Sequence, residues 1–166
     1  MKERLNSTLQ AQPLPASGRI GSGVWYVETL ADRDITVDAG GDVRMLIVDG
    51  DAAAEINIDV ESGAKLSILH VVNHKSAATV NIAIAEVSEC RMTQVVCSSS
   101  DTRVVASLVG RDARFELGGV FVLTDDNQTS VTADVNHISP DCRSRIMVKG
   151  VASGKSHGRF SGLVYV

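Results

Sequence analysis

Histidine and cysteine carry most of the metal-ligating capacity of this chain. His137 and Cys142 stand five residues apart across a turn containing Pro140. An imidazole and a thiolate placed this way could converge on iron or on an iron–sulfur cluster. Two ligands fall short of the four that a structural site wants. The preferred assignment of His137 and Cys142 is therefore a turn-capping histidine and a cysteine acting as a small buried hydrophobe, with a metal role only as the speculative alternative. His70 and His74 have the i, i+4 spacing of helical metal ligands, but Leu66–Val72 has strand character, where that spacing is about 13 Å. An exposed loop pair is expected there. Cys90 and Cys97 lack a Cys-x-x-Cys partner and are expected as free thiols in the core. The segment from Gly150 to Ser156, GVASGKS, imitates a phosphate loop but has three residues between its glycines where the loop needs four, and no strand–loop–helix context. Asp125, Asp126 and Asp134 with Arg143 and Arg145 could imitate the acids and bases of a polysaccharide lyase, although a solvated turn is the simpler expectation. No Gly-x-Ser-x-Gly elbow supports a hydrolytic triad.

The elements that would position these groups are short strands. Aromatic residues make up only 4% of the 166 residues, so the core must be built from Val, Ile, Leu, Ala and Met. From Val24 the chain turns apolar: Trp25–Val27, Ile35–Val37 and Val43–Val48 are expected strands, separated by turn signals at Gly40-Gly41 and Asp49-Gly50-Asp51. Further runs begin at Leu66, Val80, Met92, Val104, Phe115, Val131, Ile146 and Phe160, and most of them alternate with period two. The inward set should include Leu66, Ile68, Val80, Ile82, Phe115, Leu117, Val131, Val135, Ile146 and Val148. No window has helical periodicity. Strands at 11- to 16-residue intervals fit either a β-sandwich or a β-solenoid with two strands per coil and a repeat near 25 residues. Periodicity alone leaves both open. Residues 1–23 are polar and are assigned to an N-terminal extension or cap, with a short helix over Lys2–Gln10; residues 24–166 form the core domain.

A net charge of −4 argues against nucleic acid or an anionic membrane as partner. Three cysteines, an odd number at wide spacing, point to a reducing cytoplasm. No signal-peptide pattern and no run of 18 apolar residues is present.

The final third carries a more specific pattern: His137, Pro140, Cys142, Ser144, Lys149-Gly150-Val151 and Phe160-Ser161-Gly162-Leu163, in that order. This series resembles the SufB/SufD family of iron–sulfur cluster assembly proteins. Val43–Asp49, Glu61–Leu66, Leu69–Asn73 and Leu117-Gly118-Gly119 extend the resemblance upstream to cover Val43 to Val166. Such a resemblance implies an all-β fold, a right-handed parallel β-helix of flattened two-strand coils. It also implies a non-catalytic scaffold or interaction protein. Family members often carry Thr where Cys142 stands, which weighs against a ligand role.

In the family the β-helix cores pair, each subunit docks a SufC-type ATPase, and the complex assembles sulfur and iron. Matched by residue, the chain stops after the aromatic–Gly–Leu strand, before the segments that carry the family's cluster chemistry and its helical ATPase-docking part. The resemblance therefore implies no catalytic residues and no cofactor of its own, an iron–sulfur cluster arising only in a larger complex. The partner expected is a second copy (a homodimer) or a SufB/SufD-type subunit, joined through the C-terminal coils, without SufC-type docking. A carbohydrate-binding or -cleaving β-solenoid is the alternative.

Overall fold

The computed structural model describes residues 10–29 and 31–166. The helix expected over Lys2–Gln10 lies almost wholly outside these residues. Among the described residues fourteen strands alternate between two seven-stranded sheets, and every pairing is parallel. The first sheet contains β1 (Gln12–Pro13), β3 (Gly23–Thr29), β5 (Asp42–Asp49), β7 (Lys65–Val72), β9 (Glu89–Val96), β11 (Arg114–Leu123) and β13 (Arg143–Ala152). The second contains β2 (Ser17–Ile20), β4 (Arg33–Val37), β6 (Ala53–Val60), β8 (Ser76–Ile84), β10 (Ser100–Leu108), β12 (Gln128–His137) and β14 (His157–Tyr165). Consecutive strands never pair with each other; each crosses to the opposite sheet and meets its neighbour one coil later. The fold is a parallel β-helix, and the sandwich is excluded: β8 and β9 lie in different sheets instead of forming a hairpin.

The period is visible in the register. Val43 stands beside Leu66, Leu66 beside Cys90 and Cys90 beside Phe115, steps of 23, 24 and 25 residues; Phe115 to Ser144 then takes 29. Inward residues stack in columns, such as Ile35, Ile58, Ile82, Ala106, Val135 and Val164. Of the ten inward positions expected, eight are buried, whereas Ile146 and Val148 are half-buried because β13 is the outermost strand of its sheet. Every apolar run named above falls in a strand. Three strands were not anticipated: β6, whose Ala54, Ile56, Ile58 and Val60 point inward, and β1 and β2, the outermost N-terminal strands of the two sheets. β1 and β2 lie in the segment assigned as extension or cap, where Ala11, Leu14 and Ile20 are buried.

One corner of the coil repeats a backbone device. Gly40, Gly63, Val87, Asp112 and Asp141 all have positive φ, one at each of the five turns from the second sheet to the first between β4 and β13. The next residue in each turn is small: Gly41, Ala64, Ser88, Ala113 and Cys142. Amide-to-carbonyl bonds from Lys65 to Gly41, Glu89 to Ala64, Arg114 to Ser88 and Arg143 to Ala113 hold these corners in register. A left-handed residue reverses the chain tightly, and a small one lets adjacent corners stack closely.

Candidate functional site

Among the described residues, two groups of polar side chains in the interior include the histidines singled out by the sequence, and both depend on stacking. The first is built around Asp49 at the end of β5. Its Oδ1 lies 2.7 Å from Nε2 of His70 on β7, with both side chains 1% exposed. Ser76, the first residue of β8, donates to Asp49 Oδ2 at 3.1 Å. Gln94 of β9 lies one coil along from His70, with its Nε2 3.2 Å from His70 Nδ1. The set is self-consistent when Gln94 donates to Nδ1 and Nε2–H donates to the carboxylate. His74 Nδ1 lies 3.1 Å from the backbone oxygen of Asp49.

His70 is thus buried in a hydrogen-bonded network, and the exposed pair expected for His70 and His74 is corrected: only His74 is exposed. His70 shares the inward parity of Leu66, Ile68 and Val72, and that parity was the available signal. Gln94 shares the inward parity of Met92 and Val96 in the same way, whereas nothing local marked Asp49 or Ser76. Serine and histidine both contact the carboxylate here, so the arrangement is not a nucleophile–base–acid relay. It fastens β5, β7, β8 and β9 together inside the core.

The second group lies in the last coil. His137, at the end of β12, occupies the column of Ile84 and Leu108, and Ser144 occupies that of Cys90 and Phe115. His137 Nε2 and Ser144 Oγ are 2.9 Å apart across the interior. Cys142 takes the small-residue corner position, and its thiol points at the carbonyl oxygen of Gly110, 3.3 Å away. His137 and Cys142 therefore have separate partners. Among the described residues no group of three or more His, Cys, Asp or Glu side chains is placed to hold a metal ion. Of the other thiols, Cys90 is fully buried and desolvation pushes its pKa up. Cys97 is exposed, so only one of that pair lies in the core as expected.

The remaining sequence candidates separate in space. Asp134 points outward on the second sheet, in an ion pair with Arg103 at 2.7 Å, whereas Arg143 and Arg145 point outward on the first. Asp125 and Asp126 lie in the turn between β11 and β12, so the lyase-like set is divided between two sheet faces and a turn. Gly150 to Ser156 runs from β13 through a turn into β14, with no helix for a phosphate loop.

The motif glycine Gly150 and the nearby Gly158 have a shared steric reason. A Cβ at Gly150 would lie 1.9 Å from the Phe121 ring, and one at Gly158 would lie 2.4 Å from it. Phe121 points inward from β11 onto Val72, Val96 and Val131 and fills the space these glycines leave. The motif Lys149-Gly150-Val151 is thus the floor beneath an aromatic plug, a packing role that belongs to this fold.

The family model of the SufBD core domain, described as SUF system FeS cluster assembly, matches residues 35–166. The chain belongs to the SufBD core family. The match runs from β4 to the last residue, so it takes in both polar groups and the motif series of the last three strands. Neither the search of curated proteins nor that of solved structures found a match. Among the described residues no helix is long and apolar enough to cross a membrane.

Proposed function

We propose that this SufBD core chain is a non-catalytic scaffold in iron–sulfur cluster assembly, working in the cytoplasm and pairing through its C-terminal coils. The cluster is cargo of the assembled complex and not a resident cofactor of the chain. The observation that carries the reading is the last coil itself. β14 is exposed along its whole length, and Phe160 and Val164, which stand in the inward columns of Val131 and Val135, are 39% and 44% exposed. Apolar side chains in inward columns gain most when another element covers them, and the outer edges of β13 and β14 carry unpaired backbone groups that a further strand would satisfy. The side chains with chemistry support the same reading, because His70, His137 and Cys142 are all engaged in holding coils together.

The partner is a second copy or a SufB/SufD-type subunit. Light scattering of the purified chain at about ten micromolar or more tests the first case. A dimer that Val164→Lys splits without loss of circular dichroism supports the reading. A monomer mass, with no complex on adding a SufB/SufD-type subunit, would refute it.

A further inference from the structure

We propose that the outward face of β11 and β13 binds an acidic, partly apolar segment of a partner protein. The inference is independent of edge pairing, because it concerns the face of the sheet and leaves the open edge of β13 free.

The first observation is a break in a charge ladder. On the outer face of the first sheet, Asp42, Lys65, Glu89 and Arg114 stand side by side and alternate in sign from coil to coil. The next residue of that row is Arg143, directly opposite Arg114. Two like charges opposite each other on neighbouring strands are destabilising. In the next row Arg145 stands beside Glu116, whose carboxylate lies 3.6 Å from Arg91. Lys149 stands beside Val120 on the same face. Arg114, Arg143, Arg145 and Lys149 are exposed, and none forms an ion pair among the described residues. A chain with net charge −4 thus gathers on one patch four cations that form no ion pair and outnumber the neighbouring carboxylates of Glu89 and Glu116, which its overall composition could not reveal.

The second observation is apolar. Val122, Met147 and Val151 are exposed on the same face. Along β13 the outward residues read Arg143, Arg145, Met147, Lys149, Val151, one about every 6.6 Å. An extended segment with carboxylates and aliphatic groups at a matching interval would neutralise the cations and cover the valines and the methionine together. Nucleic acid fits less well, because Phe115 and Phe121 of β11 point inward and leave no aromatic platform among these cations for base stacking.

The test uses a fluorescein-labelled peptide of alternating glutamate and valine, with a proline at each end to prevent its own strand pairing. Anisotropy should show saturable binding that weakens with added salt. The double variant R143E/R145E, checked for fold by circular dichroism, should lose about tenfold or more in affinity, and Lys149→Glu should lose affinity in the same direction. Arg159→Glu makes the same kind of charge change on the second sheet and should leave binding unaltered. Absence of saturable binding would overturn the proposal. So would equal loss from Arg159→Glu, or tighter binding to single-stranded RNA or to phosphatidylserine vesicles than to the peptide.

Discussion

Replacing Gly150 by Ala should destabilise the protein when Phe121 is present and stabilise it when Phe121 is gone. The added methyl carbon would lie 1.9 and 2.0 Å from two carbons of the Phe121 ring. Carbon atoms pack best about 3.5–4.0 Å apart, so the ring or β13 must move by well over an ångström. Overpacking of a filled site costs roughly 1–3 kcal/mol, and this contact belongs at the upper end. Against it stands the ordinary gain on replacing a strand glycine by alanine, about 0.5–1 kcal/mol. The net expected loss is about 2 kcal/mol in the wild-type background. In a Phe121→Ala background the clash is absent, and Gly150→Ala should raise stability by about 0.5–1 kcal/mol. The coupling in the double-mutant cycle is then about 3 kcal/mol. Urea unfolding followed by far-UV circular dichroism measures it. Amide exchange of β13 and β14 registers any separate opening of the last coil. A cost that is the same in both backgrounds, or a wild-type cost under about 1 kcal/mol, would refute the plug-and-floor account.

Asp49→Ala should cost about 2–5 kcal/mol by urea titration, since the buried donors of His70 and Ser76 both lose their acceptor, whereas Asp49→Asn should cost less because its amide keeps one accepting oxygen. Phe115, fully buried in the main core, should cost roughly 3–5 kcal/mol on truncation to Ala; a loss below 1 would mean that β11 faces the other way in solution. Val87 is a β-branched residue held at φ 57° where the equivalent corners have Gly or Asp, so Val87→Asn should raise the unfolding midpoint, by about 1 kcal/mol in stability. Arg19 donates to both oxygens of Glu61, at 2.8 and 2.6 Å, and holds its carboxyl below the ordinary value of 4.5. The contribution of that contact is present above the ordinary value and is lost as pH falls through the lowered folded-state value. Stability measured from about pH 5 down to pH 3 should fall more steeply in wild type than in Glu61→Gln.

Strand positions were legible because the inward residues are apolar at every second place, as in Val80, Ile82 and Ile84. β6 obeys the same rule, but its alternate residues Glu55, Asn57 and Asp59 give the segment a polar composition that masked it. Those residues have a reason to be there: Asn57 donates to Asp34 and Asn81 donates to Asn57, a ladder up the outer face that exists only once the register is known. The same holds for the buried network. Asp49 and His70 are 21 residues apart in sequence, and no spacing rule for a turn or helix pairs them. His137 and Cys142 were singled out as a close pair, yet the coil geometry turns them to different neighbours. Gly150 is legible as part of a pattern, but its cause, the Phe121 ring, lies on another strand.

The corner turns have a consequence for how the chain finds this structure. Because each strand meets its neighbour after one circuit, the segment closed at each step is 23 to 29 residues from β4 onward, and 13 to 20 for the three N-terminal steps. The entropy lost in closing it grows only logarithmically with length, so every circuit costs nearly the same. Once one pair of coils has formed, each further strand adds to an existing template and no distant part of the chain has to be searched for. Folding should therefore advance by accretion from any early pair. The number of circuits could change over evolutionary time, by duplication of a stretch of about this length, without altering the closure problem faced by the rest.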